Sequence, residues 1–263
     1  MTWQRRSAHI VGVVCWAGTA DQVRADVRIR GFELVHNVPV ETALATPDIG
    51  DPVAVWCGLI DNARETMDFQ QFYVASKSGK PLDRVLASLE AAGGHGVRIR
   101  FLMEEKGVSA SDRKTLERLK HIPNLTFRLL EFGMISPRGI IHAKFIVVDG
   151  RATFVGSQNF DWRSLEHIDE TGLRIDDRRM VCQIHATFAQ DWAAQDLLAR
   201  GRAVPALHRQ DDVLSEGLPT YLLASPNRFD PDAVGDSEVA SPLDRSGQAR
   251  RPYRGDGICT ALT

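Results

Sequence analysis

Apolar positions recur along the chain with two periods, and the switches between them outline the elements. Behind Asp51 and Pro52, a cap and first-turn pair, Val55, Trp56, Leu59, Ile60 and Ala63 fall at helical spacing and predict a helix over residues 53–64. Residues 67–74 are aromatic and β-rich and read as a central strand. Pro81 opens a second helix with Leu82, Val85, Leu86 and Leu89 on one side, Gly93 and Gly94 close it, and residues 97–103 follow as a strand. Ser111 is expected to cap a charged helix carrying Leu116 and Leu119, after which residues 125–130 return as a strand. A short strand over 171–175 and a helix over 178–198, with Val181, Ile184, Phe188 and Trp192 on one face, end the periodic part.

Strands alternating with helices of about 10–15 residues predict an α/β fold. The expected sheet is mixed but largely parallel, flanked by helices on both faces. Its mixed character comes from Asp149-Gly150 between two β-branched runs, a hairpin signal. Residues 27–50 read as an extended lead-in containing Phe32, Leu34 and Val35. One domain over residues 27–200 therefore holds the periodic sequence. Beyond Gly201 the pattern weakens; residues 221–224 suit one more strand, and residues 241–263 form a Pro-, Gly-, Ser- and Arg-containing tail expected to be disordered.

Composition narrows the setting. At 263 residues and 43% apolar content the chain can bury a full core. Its 32 basic and 34 acidic residues leave no overall positive field to draw in nucleic acid, although a local patch stays open. Arg5 and Arg6, the apolar run over 10–17 and the small residues Gly18, Thr19 and Ala20 predict a cleaved export signal over residues 1–20, hence a secreted or periplasmic protein; a first buried strand is the alternative. The four cysteines are widely spaced with no C-x-x-C, which argues against a zinc site and a disulfide scaffold, and Cys57 and Cys182 read as core residues.

The chemistry concentrates in residues 140–159, IIHAKFIVVDGRATFVGSQN. Alternation along a strand places His142 and Lys144 on one face, and the hairpin returns the chain to a Gly156-Ser157-Gln158-Asn159 turn beside them. A phosphodiester shields its phosphorus with anionic oxygens, so attack requires fixed donors and a neutral nucleophile. Lys144, Ser157 and Asn159 can donate to those oxygens, and a neutral His142 imidazole can attack.

Written out, His142, Lys144, Asp149, Gly156, Ser157 and Asn159 spell H-x-K-x4-D-x6-G-S-x-N, which resembles the HKD motif of the phospholipase D superfamily. The following Asp161-Trp162-Arg163-Ser164-Leu165 resembles the branch of the animal transmembrane phospholipase D-like proteins and their poxvirus envelope relatives. The resemblance implies catalysis through a phosphohistidine on His142, with no metal and no other cofactor. It also implies an acidic residue holding the second imidazole nitrogen, for which Glu170 is the candidate and Asp169 the competitor. Asp149 is counted with the catalytic group but expected to anchor the turn and pair with a basic group.

Superfamily members build one site from two such motifs, the second histidine serving as general acid. This chain has one H-x-K-x4-D. Either two copies dimerise to complete the site, or the chain is the first half of a longer enzyme; residues 201–240, with the word LLASP, resemble the start of a second repeat that is not completed. The expected function is a metal-independent phospholipase D-type phosphodiesterase that hydrolyses or transfers phospholipid head groups at a membrane surface it visits transiently. Cleavage of single-stranded nucleic acid by the same site is the first alternative, and an inactive half-enzyme acting as a binding module is the second.

Overall fold

The computed structural model describes residues 30–44 and 49–204 and the backbone of a two-stranded ribbon, Leu214–Ser215 with Leu218–Pro219. The expected export signal, the strand at 221–224, most of the incomplete second repeat and the tail lie outside the described residues. In chain order the elements are β1 (Phe32–Asn37), α1 (Pro52–Asp61), β2 (Thr66–Gln71), β3 (Val74–Ala75), α2 (Pro81–Gly94), β4 (Arg98–Glu104), α3 (Arg113–Lys120), β5 (Leu125–Leu130), β6 (Phe145–Val148), β7 (Ala152–Gly156), β8 (Phe160–Asp161), β9 (Glu170–Ile175) and α4 (Arg178–Ala199). Two 3-10 turns, Glu105–Ala110 and Phe132–Met134, follow β4 and β5.

Seven strands form one sheet in the order β1-β9-β7-β6-β2-β4-β5. Within it only β2, β4 and β5 run parallel; the pairings β1/β9, β9/β7, β7/β6 and β6/β2 are antiparallel. The α/β class holds, but the sheet is mostly antiparallel and not largely parallel as the alternation suggested. Connection chemistry explains the difference. Helical crossovers that return a strand in the same direction need about a dozen residues, and α2 and α3 supply them between β2, β4 and β5. From β6 onward the chain has no such helix until α4, so each strand turns back. Asp149 and Gly150 both take positive φ, 51° and 58°, as a two-residue hairpin turn matching the strand twist requires.

Helices cover both faces, as expected. On one face α1, α2 and α3 bury Trp56, Ile60, Leu82, Leu89 and Leu119 against Met67, Phe69 and Phe101. Trp56 stacks on Phe160 at 5.7 Å and meets Phe154 edge-on at 5.3 Å. On the other face α4 packs Met180, Val181, Ile184 and Phe188 against Leu102, Phe145, Val147 and Ile175. The third helix is capped one residue later than predicted: Asp112 accepts from Thr115 N at 2.8 Å, while the Ser111 hydroxyl serves Val74 N at 3.1 Å. Cys57 is a free thiol packed against the core of α1 and α2.

Central strand β2 is buried on both faces, yet its α4 side carries Asp68 and Gln70. Asp68 loses solvation there, and bonds from His185 and Arg100 outweigh that cost and hold its pKa below the ordinary value. Among the described residues Asp191 on α4 has one amide for a partner: Gln70 Nε2 donates to it at 2.7 Å, while Gln70 Oε1 has no partner there. Burial raises its pKa from 3.8 to about 6 against the lowering effect of that bond. Because the folded value lies above the unfolded one, the stability this group contributes is complete below about pH 4 and is lost as pH rises through about 6. Asp191→Asn, whose amide can donate to Gln70 Oε1, is therefore expected to stabilise the protein by about 1–3 kcal/mol at pH 8. Urea unfolding should show that gain shrinking towards zero near pH 4.

Candidate active site

The parallel strands end, and β6 and β9 begin, along one edge of the sheet: Gln70 pairs with Phe145, and Glu170 opens β9 opposite Asn37 of β1. Residues 141–144 precede β6 and belong to no strand, so His142 and Lys144 stand just off the strand on which alternation placed them. They nevertheless meet. Lys144 Nζ lies 3.0 Å from His142 Nδ1 and 3.2 Å from Nε2 and donates to the His142 carbonyl at 2.7 Å. Lys144 is buried, 4% exposed, whereas His142 faces solvent with its ring 5.2 Å from that of Phe72.

Burial and the facing ammonium complement each other. Burial lowers the Lys144 pKa to about 8, with the Glu170 charge opposing. His142 is lowered from 6.5 by burial first and the Lys144 charge second, again opposed by Glu170. Near neutral pH the pair is thus an unprotonated imidazole beside an ammonium, the state a nucleophile next to an anion-binding group needs.

Glu170 is 8% exposed and accepts the Ser164 hydroxyl at 3.0 Å. Its link to His142 in this structure is through charge. The competitor Asp169 is turned the other way, 2.6 Å from His36 Nε2 on β1. Asp149 lies at the far end of β6 from His142, and its carboxylate takes the backbone N–H groups of Arg64, Glu65 and Thr66, each at 2.8 Å. It anchors the turn through main chain and not through a basic side chain.

In the Gly-Ser-x-Asn turn, Ser157 Oγ accepts from Thr171 N at 3.2 Å and donates to Thr171 O at 3.3 Å, tying the end of β7 to the start of β9. Asn159 Oδ1 is buried without a hydrogen-bond partner among the described residues. Gly156 is demanded by packing, because a Cβ there would stand 2.3 Å from Gln158 Oε1 and 3.0 Å from the Phe154 ring. Sequence reasoning missed the wall built by Phe72 and Tyr73 after β2. The Tyr73 hydroxyl donates to fully buried Asp161 at 2.6 Å, and Arg163 Nη2 reaches the same carboxylate at 2.7 Å. Desolvation and that carboxylate raise the Tyr73 pKa, with Glu170 adding to the effect. The only trace of this in the sequence is the word around Asp161.

The family model described as "Cardiolipin synthase, PLD-like domain" matches residues 56–192, a span that contains the whole cluster. The chain belongs to the phospholipase D superfamily. Members of this superfamily are phosphodiesterases. Among similar proteins, "Phospholipase D Y" of Dictyostelium discoideum is 29% identical over 179 residues, covering 63% of this chain and 39% of its own length. Human "5'-3' exonuclease PLD3" is 26% identical over 151 residues, covering 53% of this chain and 30% of that protein. The chain thus spans about two fifths or less of these relatives. The solved structure of NucT from Helicobacter pylori shares the fold, with a TM-score of 0.50 at 17% identity over 62% of this chain and 96% of that one.

Proposed function

We propose that the phospholipase D-like chain supplies one half of a phosphodiesterase site acting on phospholipid head groups. The observation that carries the reading is the neutral His142 set 3.0 Å from the ammonium of a buried Lys144. In this reading an imidazole nitrogen of His142 attacks phosphorus as the bond to the leaving alcohol oxygen breaks. Lys144 and Asn159 steady the non-bridging oxygens, Glu170 balances the charge that develops on the imidazole, and neither metal nor cofactor takes part. Water, or a second alcohol in transfer, then displaces the imidazole from phosphorus. The leaving oxygen takes its proton from a general acid in a second half, contributed by another copy or a longer chain. A second reading, cleavage of single-stranded nucleic acid by the same site, is supported by the likeness to proteins named 5'-3' exonuclease.

The test is to measure the mass of the purified chain in solution and assay a chromogenic phosphodiester, phosphatidylcholine micelles and labelled single-stranded DNA. Preference for the micelles supports the lipid reading and preference for DNA replaces it. A strict monomer without turnover on any of the three overturns both. In an active preparation kcat/KM should rise as His142 loses its proton, through a midpoint below 6.5, and fall as Lys144 loses its own, through about 8. A pH profile of initial rates checks both limbs.

A further inference from the structure

Residues 139–143 carry His142 but belong to no helix or strand, and the β6/β7 ladder begins only after them, with Gly156 N donating to Lys144 O at 3.2 Å, so no ladder of hydrogen bonds fixes the backbone in front of the imidazole. Two side chains at the end of β4 do so instead. Glu104 is the last residue of that strand and is fully buried, 0% exposed. A buried carboxylate is costly unless its oxygens are satisfied, and those of Glu104 are satisfied by main chain. Its Oε2 accepts from Ile141 N at 2.7 Å and its Oε1 from Lys106 N at 3.3 Å. Lys106 in turn extends its ammonium to the carbonyl of Gly139 at 3.1 Å. The segment is therefore gripped at Gly139 and at Ile141, the residue immediately before His142.

We infer that Glu104 is a positioning residue, which with Lys106 clamps residues 139–141 and sets where the His142 ring stands relative to Phe72, Lys144 and Glu170. This rests on the function proposed above for His142, although the clamp itself is a matter of geometry. Two hydrogen bonds to the carboxylate and one from the Lys106 ammonium together favour one conformation of a segment that no ladder holds. The carboxylate is suited to the position because two N–H donors converge on it and both of its oxygens accept. Glutamine would keep an oxygen for Ile141 N and turn its amide hydrogens towards Lys106 N.

The experiment follows the His142 ring by NMR titration in wild type, Glu104→Ala, Glu104→Gln and Lys106→Met, with the resonance assigned by its loss in His142→Ala. Turnover and thermal unfolding are measured in parallel. With the clamp opened, the ring gains hydration and moves away from the Lys144 ammonium, two changes that outweigh the loss of the Glu170 charge, so its titration midpoint in Glu104→Ala should move up towards 6.5, the ordinary value. Glu104→Gln, which keeps the bond from Ile141 N and loses the one from Lys106 N, should move the same way by less, as should Lys106→Met. In the phosphodiester assay Glu104→Ala should lower kcat about 10- to 100-fold with little change in KM. A lower unfolding temperature with an unmoved His142 titration would make Glu104 a structural residue only and overturn the proposal. If Glu104→Ala does not fold, Lys106→Met, an exposed change, decides: a shift supports the clamp and no shift overturns it. Shifts in a wild-type background without turnover on any phosphodiester would leave the clamp standing and remove the proposed function instead.

Discussion

Replacing His142 with alanine is expected to lower turnover of a chromogenic phosphodiester by about 10⁴-fold or more, the scale seen when a nucleophile is removed from an otherwise intact site. The unfolding temperature should stay close to that of wild type. The ring is exposed and is not part of either buried cluster, so its loss opens no cavity. Lys144 keeps its bond to the carbonyl of residue 142, which survives the substitution. Kinetics and a thermal melt on the same preparation check the two halves of the expectation, and wild-type turnover in the variant would remove His142 from the chemistry. The separation matters because a variant at Lys144, which is buried, would mix lost phosphate contact with altered packing.

The elements that sequence periodicity foresaw are those whose signal is local. The β5 bounds of 125–130 recur unchanged, and α2 runs from Pro81 to Gly94 as the proline and the glycine pair indicated. Sheet direction was less legible, because alternation within β6, β7 or β9 does not state which strand lies beside it. Only the absence of helical crossovers between them does. The site divides along the same line. His142, Lys144 and the turn over 156–159 were readable because strand, hairpin and turn bring nearby residues together. Glu104, Phe72 and Tyr73 reach the cluster from the ends of β4 and β2, Glu104 standing 37 residues before Ile141, and no spacing rule links them. Between the neighbouring acids, Asp169 and Glu170, adjacent side chains at a strand start point to opposite faces. The structure gives Glu170 the buried face and Asp169 the contact with His36.

That long-range wall suggests the substitution with the largest expected cost to the fold, Gly107→Ala in the 3-10 turn after β4. Gly107 is buried, and a Cβ there would stand 1.7 Å from the carbonyl oxygen of Phe72 and 2.8 Å from its carbonyl carbon. Both are backbone atoms and cannot swing aside as the end of a flexible side chain would. Either the turn or the chain at Phe72 and Tyr73 must shift, and overpacking of this kind costs about 3 kcal/mol or more. For a domain of this size that corresponds to a fall of about 6–12 °C in the unfolding temperature. The displacement also bears on chemistry. Phe72 lies against His142, Tyr73 ties to Asp161, and Ser111 in the same stretch no longer accepts from a fixed Val74 N if the turn moves. Activity of Gly107→Ala measured well below its melting point should therefore be reduced as well. A melt and a rate determined together distinguish this from a defect of stability alone: full activity at low temperature would show that the wall behind His142 is not needed for turnover.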